Sequence, residues 1–195
     1  MLGFAISLLI LVACGKKHLA PSDYIRWVTD PANGLVKTKE LSAFRFELRY
    51  LPSELTILNG ISSVELTKEK VDAALAERGN VHEFQLRLAS VEGTEFLRTG
   101  ISEMTQYHQR LEYYTGHVQN DLKLVVGFDT LDCSLSHFER TYGVAPYNTL
   151  ILAFEQESKT NDGLSLIYND RVLGLGTVKF AIDQRDLEKI PELKL

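Results

Sequence analysis

Two cysteines in 195 residues allow at most one internal disulfide, so a small disulfide-stapled scaffold is excluded and the chain must fold on its core. The five prolines are scattered, and no Pro/Gly/Ser-rich stretch divides the chain into domains. No cluster of Lys or Arg is longer than Lys16-Lys17, and the formal net charge is −5, so the basic footprint of a nucleic-acid binder is missing. The five histidines (His18, His82, His108, His117 and His137) have no HExxH or CxxC-like spacing, and neither metal nor cofactor is expected. Gly174-Leu175-Gly176 is only a fragment of a glycine-rich loop, and no helical pattern follows it to cradle a phosphate. No internal repeat is present.

What the chain does have is a sharp change of character at its start. An uncharged, mainly apolar run ends in Leu11-Val12-Ala13-Cys14 and switches at once to Gly15-Lys16-Lys17. The run is too short for a membrane-spanning helix, which needs about 20 apolar residues, and reads as the apolar region of a signal peptide. Leu11-Val12-Ala13-Cys14 resembles the lipobox of bacterial lipoproteins. That resemblance implies a diacylglycerol thioether on Cys14 Sγ, cleavage between Ala13 and Cys14, and acylation of the new amine. Gly15 rather than Asp after the cysteine implies the outer membrane of a Gram-negative bacterium. Several acyl chains on one residue exceed the regime in which membrane binding is reversible. The expected organisation is therefore a signal peptide over 1–13, a lipidated tether over 14–21 and a globular domain over 22–195. The seven residues after Cys14, 15–21, reach roughly 25 Å at full extension. With Cys14 alkylated, Cys133 has no partner and is expected as a buried thiol.

The remaining chain is ordinary for one globular domain, with 45% hydrophobic and 24% charged residues. A short helix is expected from Ser22, carrying Tyr24, Trp27 and Val28, and Asp30-Pro31-Ala32-Asn33-Gly34 ends it. Phe44, Phe46, Leu48 and Tyr50 alternate with Arg45, Glu47 and Arg49, and Phe84, Leu86 and Leu88 alternate with Gln85 and Arg87. Both runs predict half-buried strands. Thr67 caps a helix over 68–78 that Gly79 ends. A second helix is expected over 102–114, where Tyr107, Tyr113 and Tyr114 form core or, less favoured, line a ligand cavity. Strands are expected over 122–126, 149–154, 164–168, 171–175 and 177–182, with Asn169-Asp170 as a hairpin turn and 150–154 as a central strand covered on both faces. The expected fold is α+β, a single domain with a mostly antiparallel sheet and two or three helices on one side. A β-sandwich with added helices is the alternative.

Chemistry-bearing residues concentrate between Asp129 and Arg140. Cys133 with His137, or Ser134 or Ser136 with His137, would be nucleophile–base pairs, and Asp129 with Asp132 or Glu139 would be acid–base candidates. No nucleophile elbow or thiol-protease signature surrounds them, so a turn-rich connection is the preferred reading. Asp129-Thr130-Leu131 is similar to an O-glycosylation signal used on exported proteins by some Gram-negative bacteria, which makes Thr130 a modification candidate. The preferred function is a non-enzymatic interaction or assembly module, held at the periplasmic membrane surface by its lipid and binding a protein partner there. A membrane-tethered hydrolase built on the segment 129–139 is the alternative.

Overall fold

The computed structural model describes residues 16–62, 64–142, 144–158 and 162–195. The proposed signal peptide and Cys14 lie outside the described residues. In chain order the elements are β1 (His18–Leu19), α1 (Pro21–Thr29), β2 (Val36–Leu41), β3 (Phe44–Leu51), α2 (Ser53–Gly60), α3 (Lys68–Arg78) and β4 (Val81–Ser90). They continue as α4 (Met104–Glu112), β5 (Leu122–Val126), β6 (Asp129–Asp132), β7 (Leu135–Glu139), β8 (Tyr147–Glu155), β9 (Leu164–Asn169), β10 (Thr177–Ile182), α5 (Gln184–Glu188) and β11 (Glu192–Leu193). The domain is α+β, with mostly antiparallel strands.

The strands form three sheets rather than one. A five-stranded sheet runs β2-β3-β4-β8-β7, a four-stranded sheet runs β10-β9-β5-β6, and β1 pairs in parallel with β11. Period-two patterning dictates what each large sheet buries. Register places Leu48 beside Leu86, Leu86 beside Leu150 and Leu150 beside Phe138, one apolar row across four strands. In the other sheet Leu124 and Phe180 flank Leu166. All of these are buried in a single hydrophobic cluster, so the two sheets turn their apolar faces to a common core. The outer face of the larger sheet is charged: Glu47 accepts from Arg49 at 3.3 Å and Arg87 at 3.4 Å, and Arg87 lies 4.6 Å from the Tyr147 ring.

Helices close both ends of this core. At the end where β3 stops and β4 starts, α1, α2 and α3 pack in succession, with Tyr24 and Val28 of α1 fully buried. At the opposite end, α4 continues into a π turn (Tyr113–His117) and a 3₁₀ turn (Val118–Asp121). There Arg110 is buried and donates to the carbonyls of Phe96, Leu97 and Thr99, holding the chain that leaves β4.

The alternating strands β3 and β4 and the helix α3 stand where their patterns put them, and the Thr67 hydroxyl accepts from Lys70 N–H at 3.4 Å. Elsewhere the structure differs. α1 begins at Pro21 rather than after a Ser22 cap, because proline supplies helical φ without needing the missing N–H. β8 is not fully covered on both faces, since Ile151 and Ala153 are only partly buried. Residues 171–175 form no strand. The Asp170 carboxylate accepts the N–H groups of Val172, Leu173 and Leu175 and folds them into a loop, in which Gly174 and Gly176 take positive φ. β2, α2 and α5 are further elements, and the segment 129–139 is two strands rather than turns.

Candidate functional site

A groove of about 910 Å³ lies at the α1–α3 end. Its apolar lining comes from Val71 and Leu75 on α3, Tyr50 at the end of β3, and Leu187, Ile190 and Leu193 near the C-terminus, and Lys16 lies on its wall. α3 packs against α2 and contributes Val71, Leu75 and Ala76 to the lining.

Several polar groups around the groove are paired. Lys68 pairs with Asp72 at 2.7 Å, as the i, i+4 spacing on α3 allows. Tyr24 donates to Glu54 at 3.4 Å, and burial, with Glu54 beside it, raises the phenol's pKa. Burial also pushes the Tyr50 phenol up to about 12, with Glu54 and Glu83 adding to the shift. The ring of His82 lies 6.3 Å from that of Tyr50, and its Nε2 meets Gln156 Oε1 at 2.9 Å. The groove thus combines apolar side chains with phenols held protonated and several paired polar groups.

One wall is built by the two chain ends. β1 pairs with β11, Glu192 N–H donates to Lys17 O and Lys194 N–H to Leu19 O (each 2.8 Å), and His18 Nδ1 lies 3.4 Å from a Glu192 carboxylate oxygen. The stretch expected as a loose tether is thus held to the domain from Lys17 onward.

The segment singled out for chemistry has a different geometry. Cys133 is buried at the bend between β6 and β7, its Sγ donates to Leu135 O at 3.1 Å, and burial raises its pKa to about 11. His137 is exposed on β7, next to inward-facing Phe138, so the alternation of the strand turns it away from the core in which Cys133 lies. Ser134 donates to Ala153 O. Asp132 pairs with Lys123, while Asp129 and Glu139 are exposed on separate strands. The structure therefore does not bring these residues together as a nucleophile and base. Thr130 is exposed on β6, an edge strand, and is accessible. Tyr107, Tyr113 and Tyr114 are buried in the core. Among the described residues no group of three or more His, Cys, Asp or Glu is placed to hold a metal, and no helix is long and apolar enough to cross a membrane.

The groove itself had no signature in the sequence, because its walls come from distant stretches, among them Lys16, Tyr50, Val71, Gln156, Asp162 and Leu187. In comparison with known proteins, no family model, no curated protein and no solved structure matches the chain.

Proposed function

We propose that this chain is an outer-membrane lipoprotein whose globular part is a non-enzymatic interaction or assembly module facing the periplasm. The observation that carries the reading is Leu11-Val12-Ala13-Cys14 ahead of Gly15, a short step before a folded domain. From Cys14 to Lys17 the chain spans at most about 11 Å, so partners are met at the membrane surface rather than at the end of a stalk. The groove whose wall includes Lys16, two residues after Cys14, with apolar side chains among paired polar groups, supports a role in binding. The low reactivity implied by the buried Cys133 thiol and the separated His137 favours binding over the hydrolase alternative.

The test is fractionation of the full chain against Cys14→Ser, with mass spectrometry of the N-terminal peptide. The parent chain should resist a carbonate wash and carry a diacylglycerol thioether with an acylated amine, and the variant should be released. A Cys14→Ser chain that still sediments with washed membranes, or a parent peptide without lipid, refutes the anchor. Mass spectrometry of proteins co-purified with the lipidated chain from detergent then identifies the partner.

A further inference from the structure

We infer that Phe128, which projects from the groove end of the domain, enters the lipid headgroup region as a second membrane contact beside the anchor. This rests on the lipid at Cys14 and extends that reading by assigning which face meets the membrane and which side chain touches it.

Phe128 is 108% exposed, the most exposed large apolar side chain among the described residues. Its position is built into the hairpin between β5 and β6. Val126 pairs with Asp129, leaving Gly127 and Phe128 as a two-residue turn. Gly127 takes φ +59° and Phe128 does not take a positive φ, the pattern of a type II′ turn. Asp162 approaches the tip closely, since a Cβ on Gly127 would lie 2.6 Å from Asp162 Oδ2. Asp162 is itself on the groove wall, as is Lys16.

Phe128 and Lys16, two residues after the attachment point, are therefore at the same end of the molecule. The parallel pairing of β1 with β11 keeps Lys17 from acting as slack, so the domain cannot tumble freely on its anchor. A domain clasped this close to a bilayer has one end facing lipid, and an aromatic ring there gains an apolar environment that water denies it. Lys16 and Lys17 beside the anchor add attraction to anionic headgroups. Tyr142 and Val144, also strongly exposed, lie between β7 and β8 at the far end, whereas Val64, likewise exposed, lies between α2 and α3. Arg140 already packs over the Tyr142 ring at 4.6 Å.

The experiment uses the full lipidated chain, purified from membranes as Phe128→Cys and separately as Val144→Cys. Each is labelled with a thiol-reactive, environment-sensitive fluorophore and reconstituted into phosphatidylethanolamine/phosphatidylglycerol vesicles. Buried Cys133 leaves the introduced thiol as the reactive one, and the N-terminal peptide mass of the same sample reports the lipid on Cys14. The label at position 128 should shift to the blue on reconstitution and be quenched by nitroxide-bearing lipids, while that at 144 stays in water. A lipidated sample in which position 128 emits as it does in detergent-free buffer and escapes lipid quenching overturns the orientation and leaves Phe128 to a protein partner. Equal quenching at both positions overturns it as well. A peptide without lipid instead removes the anchor itself.

Discussion

Tyr114 and Tyr168 form the most sharply testable pair in the core. Both are 1% exposed, their hydroxyl oxygens are 3.1 Å apart, and the Tyr168 hydroxyl is 3.0 Å from Asp170 Oδ1. A carboxylate only accepts, so the single hydroxyl proton of Tyr168 goes to Asp170, and Tyr114 must donate to Tyr168. The relay runs one way, and the two tyrosines are not equivalent. Tyr114→Phe removes one buried hydrogen bond and leaves no donor stranded, a loss of about 1 kcal/mol. The ring stays stacked on Phe138 at 5.5 Å and edge-on to Phe96 at 5.2 Å. Tyr168→Phe strands the Tyr114 hydroxyl and takes one donor from Asp170, costing about 2–3 kcal/mol. Adding Tyr114→Phe to Tyr168→Phe should then cost nothing further, because it removes the orphan. For a domain of this size each kcal/mol moves the melting temperature by roughly 2–4 °C, so urea and thermal unfolding of soluble Cys14→Ser chains resolve the series. Equal losses in the two single variants, or an additive double variant, would refute the direction of the relay.

Two further outcomes follow from the same structure. Iodoacetamide should label Cys133 slowly in the folded chain at neutral pH and quickly in urea. Because the folded thiol is raised to about 11 against an ordinary value near 9, its contribution to stability should be complete below pH 9 and fall away as the pH rises toward 11. Fast native labelling suppressed by His137→Ala would refute the buried, unpaired thiol and revive the catalytic reading. A chain beginning at Ala20 should lose protection of the Glu192 and Lys194 amides, which donate to Lys17 and Leu19, while the amides of β4 keep theirs. Unchanged exchange at Glu192 and Lys194 would mean that the β1–β11 pairing does not hold the chain ends.

Much of the fold is legible in short stretches of sequence because the interactions that decide it are local. Alternation at Phe44–Leu51 and Phe84–Leu88 specifies which face of a strand is buried, and Thr67 and Gly79 mark the ends of α3 with backbone chemistry of their own. The motif at Cys14, on which the proposed membrane address rests, is equally local. The strands β6 and β7 escape such reading because they sit at sheet edges and bury one residue between them, Phe138, so their apolar signal is faint. Residues 171–175 carry the reverse error: their apolar content suggests a strand, but one carboxylate at Asp170 claims the N–H groups that a ladder would need.

By itself, then, the sequence determines the α+β class and the alternating strands, and it carries the motif at Cys14, since each is written in neighbouring residues. Tertiary structure alone decides the division into two facing sheets, the clasp between His18–Leu19 and Glu192–Leu193, the separation of Cys133 from His137, and the groove flanked by Lys16 and Asp162. Each of these depends on which distant segments meet, and pairing across long stretches of chain is set by the packing of the common core rather than by any pattern along it.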